Sequence, residues 1–128
     1  MPVTTEKWTL PVSVTAPAMA RSAASSLVQT LGPDRRNDFL LLVSELVTNS
    51  VRHAGPIPVD SIDLIVHINE KRVRVEVHDR GPGFGFALRR PQPRDRSGWG
   101  FFLVDKVAQR WGVEQRATTN VAWFEMDL

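Results

Sequence analysis

The sequence predicts an α+β fold, a two-layer sandwich in which three helices cover one face of a mainly antiparallel sheet. The first support is the order of hydrophobic patterns along the chain: strand, helix, helix, hairpin, loop, helix, hairpin. The second is that strands come in adjacent pairs and do not alternate one by one with helices, which argues against a doubly wound parallel sheet. The third is length. A chain of 128 residues suits one core, so residues 1–128 are expected to form a single domain.

Lys7 to Val14 alternates as a first strand, with Pro11 at an edge or a bulge. Thr15 is placed to cap a helix with Pro17 in its first turn, and Met19, Ala23, Leu27 and Leu31 recur at helical spacing until Gly32-Pro33. Asp34 is placed to cap the next helix, which is expected to end at Gly55-Pro56. On that helix Phe39, Val43, Leu46, Val47, Ser50 and Ala54 form an apolar stripe. Ser61 to Asn69 and Lys71 to Asp79 read as a hairpin turning at Asn69-Glu70. In its second strand Val73, Val75 and Val77 share a side, and the same count turns Asp79 inward with them. Gly81 to Ser97 reads as a loop rich in Gly, Pro and Arg. From Gly98 a helix carries Phe102, Val104, Val107, Ala108 and Trp111 to Gly112. Val113–Ala117 and Val121–Leu128 then make the last hairpin, joined at Thr118-Thr119-Asn120.

Composition narrows the function classes. With 42% hydrophobic residues and 23% charged ones the chain should fold on its own, and no apolar run approaches the ~20 residues of a membrane helix. Met1 to Lys7 lack a signal-peptide pattern, so a cytoplasmic location is expected. The absence of cysteine excludes disulfides, thiolate catalysis and Cys-based zinc sites. The pI is near 9.7, yet the formal net charge is only +2 and there is no Tyr to titrate. That balance, with no aromatic-basic interleaving, speaks against direct nucleic-acid binding.

Three stretches carry chemistry. Glu45 and Asn49 stand one helical turn apart at the border of the apolar stripe. There they are either a polar rim, or an oxygen ligand for a hard cation beside a carboxylate able to take a proton. An aspartate turned into a core costs several kcal/mol, in rough order, unless it is partnered. Asp79-Arg80-Gly81-Pro82-Gly83 is either a turn in which backbone N–H groups satisfy that carboxylate, or a site where it accepts from an exocyclic amino group such as that of adenine. Gly98-Trp99-Gly100 opens a helix, where free N–H groups and the helix dipole favour phosphate oxygens. Arg89, Arg90, Arg94 and Arg96 in the preceding loop either close over a polyphosphate or keep an exposed loop soluble.

In this order the stretches resemble the ATP-binding fold of the GHKL superfamily, the Bergerat fold shared by gyrase, Hsp90, histidine kinases and MutL. More narrowly, Ser44-Glu-Leu-Val-Thr-Asn-Ser-Val-Arg-His-Ala54, Val77-His-Asp-Arg-Gly-Pro-Gly-Phe84, Gly98-Trp-Gly-Phe-Phe-Leu-Val-Asp105 and Arg110-Trp-Gly-Val113 resemble the small anti-sigma factors with serine-protein kinase activity. The resemblance implies ATP and Mg²⁺ as cofactors. It implies Asn49 as the Mg²⁺ ligand, Glu45 as general base, Asp79 on the adenine amino group, and Gly81, Gly83, Gly98 and Gly100 along the nucleotide. His53 matches a polar residue near the phosphates, or is an ordinary helix-surface histidine. The implied partners are a sigma factor and an anti-anti-sigma protein whose serine accepts the phosphoryl group, with a homodimer possible through the first strand.

Two departures from the family pattern keep a second reading in view. Relatives carry a Gly-Lys-Thr-like turn where this chain has Thr119-Asn120-Val121-Ala122, so the hydroxyl expected near the adenine is missing or shifted to Thr118 or Thr119. Trp99, Phe101 and Phe102 replace smaller or basic residues in the second glycine box; they pack inside or present an aromatic surface to a partner. The alternative is therefore a partner-sequestering module with weak or no nucleotide binding. A detached histidine-kinase catalytic domain fits less well, since the chain holds no dimerisation helix with a phospho-acceptor histidine.

Overall fold

The computed structural model describes residues 3–52, 61–80, 99–116 and 119–128, with 99–102 as backbone. The first strand, β1 (Thr4–Leu10), starts earlier than the sequence pattern suggests and stops before Pro11, which lacks the N–H that a ladder needs. Ser13 N–H then bonds the Pro11 carbonyl in a tight turn.

Helix α1 (Ala16–Ser25) continues into a 3₁₀ turn (Ser26–Val28). Thr15 does not cap it through its side chain; its hydroxyl lies 2.7 Å from that of Ser13. The fully buried face is not the expected Met19/Ala23/Leu27/Leu31 stripe, of which Leu27 and Leu31 pack partly buried against the core. Ala16, Ala20, Ala24 and Val28 are fully buried, whereas Met19 is 44% exposed. Small side chains win here because they let α1 lie close against the following helix, α2 (Pro33–Arg52). That helix begins at Pro33, so Asp34 sits in the first turn, where it complements the helix dipole, and is not the cap residue. Its expected end at Gly55-Pro56 lies outside the described residues.

The first hairpin is as the sequence predicts. β2 (Ile62–Ile68) and β3 (Arg72–Asp79) turn at Asn69, whose side-chain oxygen accepts from the Lys71 and Arg72 N–H groups at 2.8 and 2.9 Å. Helix α3 (Trp99–Val107) is shorter than expected, and Trp111 and Gly112 belong to the next strand, β4 (Arg110–Arg116). The spacing of Val104, Val107, Ala108 and Trp111 suits a helix, but Gln109 N–H bonds the Glu125 carbonyl and draws the chain into the sheet first. Gly112 serves a close approach: a Cβ there would stand 2.8 Å from Nε1 of Trp123 on the last strand, β5 (Thr119–Asp127).

The sheet order is β1-β2-β3-β5-β4, every pair antiparallel. One face carries Ile62, Leu64 and Val66, Val73, Val75 and Val77, and Ala122, Phe124 and Met126, buried against the helices. Phe39 of α2 meets Phe124 edge-on with ring centroids 6.1 Å apart. The other face is polar and laced with ion pairs. Arg74 bonds Glu76 and Glu125 at 2.8 and 3.2 Å and stands 4.1 Å over the Trp123 ring, while Arg110 bonds Glu125 and Asp127. Burial works to raise the Glu76 and Glu125 carboxyls. Hydrogen bonds from Arg74 and His78 to the first, and from Arg110 and Arg74 to the second, outweigh it and hold both below the usual carboxylate range. Among the described residues no helix is long and apolar enough to cross a membrane.

Candidate functional site

The phase of α2 along the sheet decides whether Glu45 and Asn49 can share a site with Asp79. Near the start of the helix, Arg35 donates to the Asp127 carbonyl, opposite Arg72; further on, Phe39 packs on Phe124, opposite Val75. The helix therefore travels in the direction of β3. From Phe39 to Asn49 it advances roughly 15 Å, and from Val75 to Asp79 the strand advances roughly 13 Å. Asn49 thus lies level with the end of β3 where Asp79 stands.

The apolar stripe drives this placement. Phe39, Leu42, Val43, Leu46 and Val47 are fully buried, Leu42 in addition to the expected set, and their pull rotates Asn49 and Ser50 inward to 1% exposure each. Among the described residues the Asn49 side-chain NH₂ and the Ser50 hydroxyl meet no hydrogen-bond partner. Buried amides are normally satisfied, so such a donor is suited to an acceptor from outside the described residues. Glu45, one turn earlier, is half-buried, and burial pushes its carboxyl up while Arg52 pulls it part of the way back. A carboxylate of raised basicity is better matched to taking a proton near neutrality than an exposed one.

Asp79 points inward with the valines, as the alternation predicts, and is 6% exposed. One of its partners comes from the strand register. Asn120, 2% exposed, lies opposite Asp79 in the β3–β5 ladder and donates its side-chain NH₂ to Oδ1 of Asp79 at 3.0 Å. Asn120 lies in β5, where the sequence pattern predicts a turn. The signal available was the period of two through Asn120, Ala122, Phe124 and Met126, which continues the inward face one step before the apolar residues begin.

The expected site residues divide accordingly. By this count Asn49 and Asp79 fall at the same level of the sandwich, with Glu45 one helical turn before it. Thr119 is opposite Arg116 in the β4–β5 ladder, next to Asn120 in the chain and so on the other face of the sheet from Asp79; the structure does not bring them together. Gly100 lies in the first turn of α3, which packs on α2. His53, Gly81, Gly83 and Gly98 lie outside the described residues, as do the loop arginines.

Residues 10–126 match the family described as the histidine kinase-like ATPase domain. An anti-sigma F factor of Clostridium beijerinckii is 34% identical over 98 residues, spanning 69% of this chain and 68% of that protein. The crystal structure of the RsbU and RsbW domains of Rv1364c from Mycobacterium tuberculosis has the same fold, with a TM-score of 0.70 at 21% identity over 98% of this chain. The match spans only 32% of that longer chain. With a five-stranded antiparallel sheet, helices on one face and the match running through nearly all of its length, the chain belongs to the histidine kinase-like ATPase domain family, on the anti-sigma branch of the GHKL fold.

Proposed function

We propose that this chain is an ATP-binding regulator of the anti-sigma type that phosphorylates a serine on an anti-anti-sigma antagonist and sequesters a sigma factor. The observation that carries the reading is a buried aspartate at the end of β3 and, at the same level by helical and strand rise, a buried amide on α2 whose NH₂ has no partner among the described residues. A nucleotide is a ligand with needs at both ends: an amino group on the base for Asp79, and phosphate oxygens for the Asn49 NH₂. A protein ligand set of one carboxamide also suits Mg²⁺, which keeps waters and takes its other oxygens from phosphates; Asn49 would hold it through its side-chain oxygen. When bound, the ion would neutralise charge on the phosphates.

In the transfer, the serine oxygen of the antagonist attacks the γ-phosphorus, the bond to the β–γ bridging oxygen breaks, ADP leaves, and the serine proton passes to Glu45. The raised basicity of Glu45 supports that role, and its place one turn from Asn49 puts the base near the phosphate end and away from the base-binding end.

A second reading is favoured by Thr119-Asn120-Val121-Ala122, which replaces the Gly-Lys-Thr-like turn of relatives: the fold binds nucleotide weakly and acts by sequestering its partner. Incubation with γ-labelled ATP, Mg²⁺ and candidate anti-anti-sigma proteins separates the two. The first reading expects label on an antagonist serine, lost in Glu45→Gln with ATP binding retained. ATP binding with every serine left unlabelled would contradict it.

A further inference from the structure

We propose that Asn120 is a positioning residue for base selection: by holding one oxygen of Asp79, it fixes how that carboxylate meets the edge of the bound base. The inference rests on the nucleotide reading above and assigns it a residue that the expected site did not contain. Asn120 and Asp79 are both buried, directly opposite each other at the end of the β3–β5 ladder, and joined by a hydrogen bond of 3.0 Å from the Asn120 NH₂ to Oδ1. An exposed aspartate can rotate to suit its ligand. Here the donor comes from a side chain whose backbone is locked in the central β3–β5 pair, so the plane of the carboxylate is set before any ligand arrives.

The consequence is discrimination at position 6 of a purine. An ionised carboxylate only accepts hydrogen bonds, so in a fixed orientation it takes a 6-amino group and opposes a 6-carbonyl, which is also an acceptor. A carboxylate free to turn away from a 6-carbonyl would discriminate less. Removing the Asn120 amide therefore lowers preference between bases, not merely affinity.

Titrating ADP and IDP by calorimetry into wild type, Asn120→Ala and Asn120→Thr tests this, with a thermal melt of each protein. Wild type is expected to prefer ADP. In Asn120→Ala the ADP:IDP affinity ratio should fall by about three- to tenfold, the worth of one hydrogen bond in orientation. Asn120→Thr keeps a donor on the same strand face and should recover part of the ratio. A purely structural Asn120 would lower the melting temperature and leave the ratio unmoved, and that result overturns the inference. If Asn120→Ala does not fold, Asn120→Val decides, because it has the shape of threonine without the donor: a ratio lowered as for alanine supports the inference, and a ratio equal to that of wild type overturns it. Wild type that binds neither nucleotide would instead overturn the nucleotide reading beneath it.

Discussion

Asp79→Asn keeps the shape of the buried side chain and removes one of its two acceptor oxygens. Asn120 already donates to Oδ1 at 3.0 Å. After the substitution, the new amide can turn its oxygen toward Asn120, which leaves an NH₂ facing the amino group of the base, or toward the base, which sets NH₂ against NH₂ at Asn120. The first orientation loses the base contact, and the second keeps both contacts only if the Asn120 amide turns over to offer its oxygen, so the first orientation sets the loss. A hydrogen bond to a charged group is worth about 1.5–3 kcal/mol, so the binding cost should be roughly 10- to 150-fold in Kd. The stability cost should be smaller, about 1 kcal/mol, because the polar pair can be kept by the first orientation. Calorimetry with ADP and ATP, each with and without Mg²⁺, is the assay, and the proposed placing of Asp79 on the base predicts the same loss in all four titrations. A variant that binds ADP within twofold of wild type, or loses affinity only when Mg²⁺ is present, would refute this assignment.

Glu45→Gln should have a pH signature. Burial raises the Glu45 carboxyl, so its contribution to stability is fully present below the ordinary carboxylate range and is lost as pH rises through the raised value. The glutamine variant should therefore gain stability relative to wild type between acid and neutral pH, read from urea unfolding; a difference that does not change with pH would contradict the burial argument. Ala20→Leu forces a larger side chain into the fully buried contact between α1 and α2 and should cost about 1–3 kcal/mol, whereas Met19→Ala, at a 44% exposed site, should cost under about 0.5 kcal/mol in the same unfolding assay. Gly112→Val places a Cβ 2.8 Å from the Trp123 indole, which must leave its place under Arg74 or push β4 away. A loss of about 1–3 kcal/mol with a shift in tryptophan emission is expected, and an unchanged spectrum would show that the indole does not sit there.

The strands and the long helix were legible because their patterns were decided by burial. Val73, Val75 and Val77 fix the phase of β3 and so carry Asp79 inward, and Phe39 to Val47 do the same for Asn49. Where side-chain size and packing disagree, the sequence misleads. Met19 looks like part of a core stripe, but the close approach of two helices selects Ala16, Ala20 and Ala24 for the fully buried contact, with Leu27 and Leu31 packed partly buried beside them. Trp111 fits a helical count and lies in a strand, because its indole N–H finds Asp105 at 2.8 Å and Gln109 is captured by β5. Asn120 was hidden for another reason. Its importance depends on the register between β3 and β5, a long-range pairing that a local pattern of residues does not encode. The ion-pair face was visible only as alternation in Arg74, Glu76 and His78; which charges meet across strands again follows from register.

The proposed nucleotide site depends most on the amide of Asn49, and the most direct test is ATP affinity in Mg²⁺ and in chelator for wild type and Asn49→Ala. The account predicts micromolar-range ATP binding by wild type that tightens with Mg²⁺, and a variant that remains folded but loses most of that metal-dependent gain. Equal affinities for the two proteins under both conditions, or no binding by wild type at millimolar ATP, would contradict it.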